Sequence, residues 1–150
     1  MQEVDSSAAL EAALADPAVT SIILRASGEP YRFFKSANTL GVGPSALEIT
    51  RSISIAAEVG YQVTLDAYGT AESPRRVMIV NGTNTVVELQ NVTLIGGYSE
   101  EWGAGVRIMP GLLKHDCFKV DTNCTSEWSS YFKRTPSIPH CQGASCASME

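Results

Sequence analysis

The sequence predicts an all-β fold of the parallel β-helix kind, a solenoid of about three to four coils, and three observations support this. From Val19 onward, short segments rich in β-branched residues alternate apolar and polar side chains with a period of two. Only two or three residues separate some of these segments, and the junctions 50–52 and 90–91 contain no glycine, which a tight antiparallel hairpin would favour. The segment 47–55 is also echoed 40 and 39 residues later.

A short α-helix is expected before the strands, at residues 7–15. The polar residues 5–7 can cap its first turn, an apolar stripe follows, and the run stops at Pro17. The stripe recurs at helical spacing and consists of Leu10, Ala13 and Leu14. A helix of fewer than three turns is marginal alone, so residues 1–18 are predicted to cap the open end of the strand stack.

The β-helix itself is predicted over residues 19–109. Its strands are expected at 21–24, 31–34, 47–50, 53–56, 62–65, 77–80, 86–89, 92–95 and 105–108. Turns are expected between them, as at Asn81-Gly82 and Gly96-Gly97. The side chains expected inside are Ile53, Ile55, Val63, Leu65, Val92 and Leu94, and those expected outside are Ser54, Thr64 and Thr93. A β-sandwich is the alternative that the pattern leaves open.

The charge of the chain bears on its partners. Acidic residues number 16 against 11 basic ones, and residues 1–109 contain 12 of these acids and 7 of these bases. An acidic surface repels phosphate backbones, so nucleic acid is not expected as a partner. No stretch reaches the roughly 18 to 20 apolar residues of a membrane-spanning helix, so no membrane span is expected.

Residues 110–150 differ in character and are expected to form an irregular segment held by disulfide bonds. The chain's four cysteines all lie there, at Cys117, Cys124, Cys141 and Cys146. Zinc, with His115 or His140 as further ligands, and free thiols are the alternatives, but no tight Cys-x-x-Cys pair is present, so no metal site is predicted.

Three sequons add weak support for an extracellular protein, with candidate glycosylation sites at Asn81, Asn91 and Asn123. The acidic start of the chain does not look like a signal peptide. We therefore expect a mature domain or a fragment, secreted or at the cell surface, whose targeting sequence lies upstream of Met1.

A family resemblance strengthens the fold prediction. The run Asn91-Val92-Thr93-Leu94-Ile95-Gly96-Gly97, followed by residues 103–108, resembles a rung of right-handed parallel β-helix repeats. Such rungs are typical of the pectate-lyase-like superfamily and of the polymorphic outer-membrane and adhesin repeats within it. Residues 8–15, the strand 22–24 and Gly28-Glu29-Pro30-Tyr31 are similar to the opening of such proteins. The resemblance covers roughly residues 8–109 and implies a fold far more than a function.

No catalytic site is recognised. In the lyases of this superfamily a Lys or Arg base works beside calcium-binding carboxylates, but residues 1–109 contain few aspartates, and Asp66 is interpreted as a turn residue. The Asn-Thr-Asp, Gly-His-Gly and Arg-x-Lys elements of the related glycosidases are absent from the sequence. The adjacent pair Glu100-Glu101 is interpreted as solvated.

Two hypotheses about function follow. The first is a non-enzymatic β-helix module that serves as a scaffold, an adhesion surface or a carbohydrate-contact surface, with carbohydrate or another protein as its partner. The second is a fragment or divergent member of a β-helix polysaccharide lyase or glycosidase. No cofactor is expected, and exposed strand edges predict self-association.

Overall fold

The computed structural model describes residues 1–36, 44–99, 105–116, 119–123 and 147–149, and from residue 109 onward it describes the backbone alone. These residues are mostly strand with one short helix, which confirms the predicted all-β class. The helix is α1 (Ser7–Ala15), and the strands are β1 (Gln2–Val4), β2 (Ser21–Leu24), β3 (Tyr31–Arg32), β4 (Ser45–Ile49), β5 (Ile53–Ala57), β6 (Val63–Asp66), β7 (Arg76–Gln90), β8 (Val92–Tyr98), β9 (Val106–Asp116), β10 (Lys119–Asn123) and β11 (Ala147–Met149).

The described strands form two sheets in which neighbouring strands are parallel. Sheet A has the order β1-β2-β5-β7-β9-β11, with β4 also paired to β7, and sheet B has the order β10-β8-β6-β3. From β2 to β10 the chain passes repeatedly from one sheet to the other, with β4 and β5 both in sheet A. Strands that pair are therefore remote in sequence, as parallel pairing requires.

The core consists of apolar columns that run across the paired strands. In sheet A, Ile22, Ile55 and Leu89 are in register, and in sheet B Leu65 is in register with Leu94. Each of these side chains is at most 1% exposed. All six positions predicted to point inward are buried, whereas the three predicted to point outward are partly exposed, so the period-two interpretation is confirmed.

Helix α1 has the predicted bounds and lies against β1 and β2. The Ser6 hydroxyl accepts a hydrogen bond from the Ala9 amide at 3.3 Å, which caps the first turn. Leu10 and Ala13 are buried. Strand β1, which precedes the helix, was not predicted, because three residues that include an exposed Glu3 carry no periodic signal.

The guanidinium of Arg51 ties the end of α1 to the corner between β4 and β5. It donates to the main-chain oxygens of Ala13, Leu14 and Asp16 at 3.2, 3.2 and 2.8 Å, and also to that of Val19. The last carbonyl groups of a helix have no partner within the helix. The last turn of α1 contains no basic residue of its own, so Arg51 supplies the hydrogen-bond donors from a corner that is distant in sequence.

The prediction of a turn at Asn81-Gly82 is wrong, because β7 runs without a break from Arg76 to Gln90. The first half of β7 pairs with β4 and the second half with β5, and the register against β9 shifts between Asn81 and Thr85. A Cβ on Gly82 would lie 2.9 Å from the Thr50 carbonyl oxygen. This glycine therefore permits β7 to approach the corner between β4 and β5 closely.

The 40-residue echo also differs from the register of the structure. Leu47 pairs with Met78, and Ile53 pairs with Val87, so offsets of 31 and 34 residues relate these strands. The echo matched β4 and β5 to the second half of β7 and to β8, because a sequence pattern does not show that the single strand β7 pairs with both β4 and β5. The pair Gly96-Gly97, also predicted as a turn, likewise lies inside β8.

Candidate functional site

The candidate site lies where β3 and β6 of sheet B end side by side, next to the middle of β8. Arg32, Asp66 and Ile95 are in register across these strands. The ladder continues beyond them, since the Phe33 amide donates to the Asp66 carbonyl at 2.9 Å and the Ala67 amide donates to the Ile95 carbonyl at 3.1 Å. Residues that follow the strands therefore stay aligned with one another.

Two aromatic residues, Phe34 and Tyr68, emerge two positions beyond the aligned pair Arg32 and Asp66. Their rings meet edge to face, with centroids 5.3 Å apart and an angle of 62° between the planes. Phe34 is 65% exposed and Tyr68 is 57% exposed. Edge-to-face pairing is a favourable arrangement of two rings, so the pair presents an ordered apolar surface to solvent.

Asp66 holds the backbone beneath this aromatic pair. Its Oδ1 accepts a hydrogen bond from the Tyr68 amide at 2.9 Å, which closes a turn, and its Oδ2 lies 3.9 Å from the Arg32 Nε. Tyr68 has a φ of 51°, a left-handed conformation that side chains rarely adopt. A Cβ on Gly96 would lie 2.0 Å from the Asp66 Oδ1. The neighbouring strand β8 therefore leaves room for this carboxylate only because residue 96 is a glycine.

Arg75 supports the pair from inside the protein and is only 7% exposed. Its Nη1 donates to the carbonyl oxygens of Phe33 and Ala67 at 2.7 and 2.9 Å, and its Nη2 donates to that of Phe34 at 3.0 Å. The backbone of Arg75 also forms two hydrogen bonds with Tyr98 at the end of β8. One side chain thus joins the segments that carry both aromatic rings.

A shallow depression of about 270 Å³ adjoins the pair and shares Phe34 with it. The residues that line it include the serines Ser7 and Ser27 and the charged residues Glu29 and Arg32. The Ser27 hydroxyl donates to the Glu29 carbonyl at 2.9 Å. The aromatic pair and the depression together form one continuous surface, which we call the aromatic end.

Tyr31 fixes the inner wall of the depression and is 3% exposed. Its hydroxyl lies 2.8 Å from the Val4 carbonyl and 2.9 Å from that of Arg25, so it can donate to either. Burial raises the pKa of the Tyr31 phenol above its ordinary value, and hydrogen bonding to Arg25 opposes that effect. The neutral phenol is therefore the form that joins β1 to the start of sheet B.

The residues predicted as sites lie elsewhere. Cys117, Cys124, Cys141 and Cys146 are outside the described residues, as is the pair Glu100-Glu101. The partly exposed Asn81 donates to the Glu48 carboxylate at 3.4 Å, and Asn91 has a φ of 54° at the corner between β7 and β8. Asn123 ends β10. Disulfide formation and glycosylation stay predictions.

Sequence reasoning missed the aromatic pair and Arg75. The signal for Phe34 was present, because adjacent phenylalanines at 33 and 34 cannot both point inward from an extended segment. The role of Arg75 had no such signal, since its partners lie up to 42 residues away in sequence. Only the folded chain brings them together.

Within the described residues no group of three or more His, Cys, Asp or Glu side chains is placed to hold a metal ion, and no helix there is both long and apolar enough to cross a membrane. Comparisons with protein-family models, with curated protein sequences and with solved structures found no match.

Proposed function

We propose that this chain is a right-handed parallel β-helix module of a secreted or cell-surface protein, which binds a glycan at the aromatic end and does not cleave it. The parallel pairing of every neighbouring strand and the passage of the chain between two sheets support the β-helix. The rung-like run from Asn91 to Gly97 supports it independently. A β-sandwich of antiparallel strands would not pair in this way.

The observation that carries the binding function is the exposed, ordered pair of Phe34 and Tyr68. Large aromatic side chains left in solvent are typical of contact surfaces when they are held in place. Here the Arg75 guanidinium, the Asp66 carboxylate and the edge-to-face contact hold them. The surface is therefore organised before a ligand arrives, which lowers the entropy cost of binding.

A glycan fits this surface because of its two kinds of groups. The C–H faces of a sugar ring carry slight positive charge and stack on the electron-rich face of an aromatic ring. The sugar hydroxyls need hydrogen-bonding partners at the edge of the stacked ring. The partly exposed Arg32 and the serine hydroxyls of the depression supply such partners beside Phe34.

The alternative, a divergent lyase or glycosidase, would use Asp66 as an acid or base. That carboxylate is 13% exposed, and it already accepts from the Tyr68 amide and lies close to the Arg32 guanidinium. A carboxylate that holds a turn in this way acts on the backbone rather than on a substrate. The geometry of Asp66 therefore favours binding without cleavage.

The test measures retention of the protein on a panel of neutral and acidic polysaccharides by affinity electrophoresis, with product analysis of the same mixtures. We expect retention without new reducing ends or unsaturated products. Tyr68→Ala and Phe34→Ala should each weaken retention about tenfold, the effect of losing a well-packed contact residue. Tyr61→Ala is the matched control. Tyr61 is similarly exposed, at 56%, but it precedes the start of β6, whereas Tyr68 follows its end.

Failure to bind any polysaccharide, or equal loss in the Tyr61 control, would overturn the proposed glycan site. Cleavage of a polysaccharide would replace the binding module with the enzyme alternative. The calcium content of the buffer is varied, because β-helix lyases use calcium-binding carboxylates.

We also propose that the four cysteines form two disulfide bonds in the C-terminal segment, as expected of a secreted protein. Mass spectrometry of the non-reduced protein should then find no free thiol. Four free thiols, or one zinc ion per chain, would contradict this.

Sedimentation at several concentrations tests the proposed self-association through strand edges, which should appear as a concentration-dependent dimer.

A further inference from the structure

We infer that the depression beside Phe34 selects neutral sugar units over uronates, so that the aromatic end binds a neutral oligosaccharide of at least two units. This inference rests on the proposed glycan-binding function and adds the class of glycan. One sugar ring stacks on the Phe34–Tyr68 pair, and the next lies in the depression that Phe34 also borders.

The size of the depression limits what it can hold. Its volume of about 270 Å³ lies just below the roughly 300–1,000 Å³ of pockets that enclose a drug-sized ligand. A ligand the size of a single monosaccharide unit fits into this depression. Because the depression is open and continuous with the aromatic pair, the chain of sugar units can extend past Phe34.

The charges around the depression oppose an acidic sugar. Asp5, Glu29 and Arg32 line it. Asp66 lies outside the lining, on the strand next to Arg32 and in register with it. Arg32 is the one base among these four groups and lies 3.7 Å from the Glu29 carboxylate and 3.9 Å from that of Asp66. The two acids and one base that line the depression leave it a net charge of −1. A uronate carboxylate would add a further negative charge at close range.

The same groups suit the hydroxyls of a neutral sugar. A carboxylate accepts two hydrogen bonds from neighbouring hydroxyls, and a guanidinium donates two to sugar oxygens. Glu29 is 77% exposed and Arg32 is 48% exposed at the side chain, so both reach solvent from the wall of the depression. Neutral hydroxyls are recognised here without the desolvation of an additional charge.

The test compares one polymer backbone in two charge states: oligogalacturonate and its fully methyl-esterified form, of equal length, by isothermal titration calorimetry. At low salt we expect the ester to bind roughly two- to fivefold more tightly than the acid. The difference should shrink at high salt, because exposed charges are screened within a Debye length of about 10 Å at 0.1 M.

Variants sharpen the test. Glu29→Gln with Asp5→Asn should raise the affinity for the acid severalfold relative to the ester, whereas Glu11→Gln, an exposed carboxylate of α1 outside the depression, should leave the ratio unchanged. Binding of the acid as tight as or tighter than the ester would overturn the neutral-sugar inference while leaving the glycan site intact. Absence of binding by both forms and by the whole polysaccharide panel would overturn the proposed function itself.

Discussion

Arg51 and Arg75 perform the same kind of contact in two different regions of the molecule. Each guanidinium donates to at least three main-chain carbonyl oxygens. Arg51 is partly exposed and ties the end of α1 to a corner of sheet A, whereas Arg75 is buried and ties the loops of the aromatic end together. The first contact fixes the end of α1, and the second holds the backbone of the exposed rings that we propose bind a glycan.

The comparison shows that a shared contact does not imply a shared role. What an arginine positions decides its importance for function, and how deeply it is buried decides its energetic weight. Water can replace a lost partner at the exposed helix end, but it reaches the carbonyl groups around Arg75 less easily. Variants in the two regions should therefore differ both in stability and in glycan binding.

The largest effect is expected at Arg75. Arg75→Met should lower the free energy of unfolding by about 3 kcal/mol, because two buried carbonyl groups and one partly buried carbonyl group lose a charged donor. Arg75→Lys keeps the charge but cannot reach several acceptors at once, so it should fold with reduced stability and bind glycan more weakly. Urea unfolding and calorimetry measure both. Normal glycan affinity in a folded Arg75→Lys variant would show that Arg75 has no positioning role.

Gly96 offers a second test of the aromatic end. Gly96→Ala should cost about 2–3 kcal/mol, since the residue has a φ of 66° and its Cβ would collide with the Asp66 carboxylate. Gly60→Ala is the matched control, because Gly60 has a φ of 84° but open space around it, and it should cost about 1 kcal/mol. Equal thermal stability of the two variants would contradict the predicted collision.

At the helix end a smaller effect is expected. Arg51→Ala should lower the free energy of unfolding by about 1–2 kcal/mol, because the carbonyl groups at the end of α1 lose their donor but remain open to water. The helical signal in circular dichroism should fall while glycan affinity stays unchanged. A loss of glycan affinity comparable to that of Arg75→Lys would remove the distinction between the two regions.

The smallest effect is expected at Tyr31, whose hydroxyl joins β1 to the start of sheet B. Tyr31→Phe should cost about 1 kcal/mol at neutral pH through one lost buried hydrogen bond. Because the folded-state pKa of this phenol is raised, the folded protein holds the proton more tightly than the unfolded chain does. Its contribution is complete below the ordinary tyrosine pKa of about 10 and is lost as the pH rises through the folded value.

Unfolding measurements between pH 8 and pH 11, approximately the range in which an ordinary tyrosine begins to ionise, test the role of Tyr31. The wild-type protein should lose more stability across this range than Tyr31→Phe. Parallel curves for the two proteins would indicate that Tyr31 does not contribute to the pH dependence.

Much of the strand architecture could be predicted because inward and outward positions alternate along single strands. The helix bounds, the strand β2 and the buried positions at Ile55 and Leu65 all follow from local patterns of two or 3.6 residues. The pairing offsets could not be predicted in the same way. A strand that shifts its register but does not break, as β7 does beside Gly82, contains residues that are typical of a turn.

The sequence by itself determined the all-β class, the N-terminal helix and the alternation that fills the core, because each depends on neighbours in the chain. The tertiary structure alone decided the aromatic end. Phe34, Tyr68 and Arg75 come from three separate segments, and parallel pairing aligns the ends of β3 and β6 so that the two rings meet. The physical reason is that contacts between paired strands depend on register, which a local pattern does not contain.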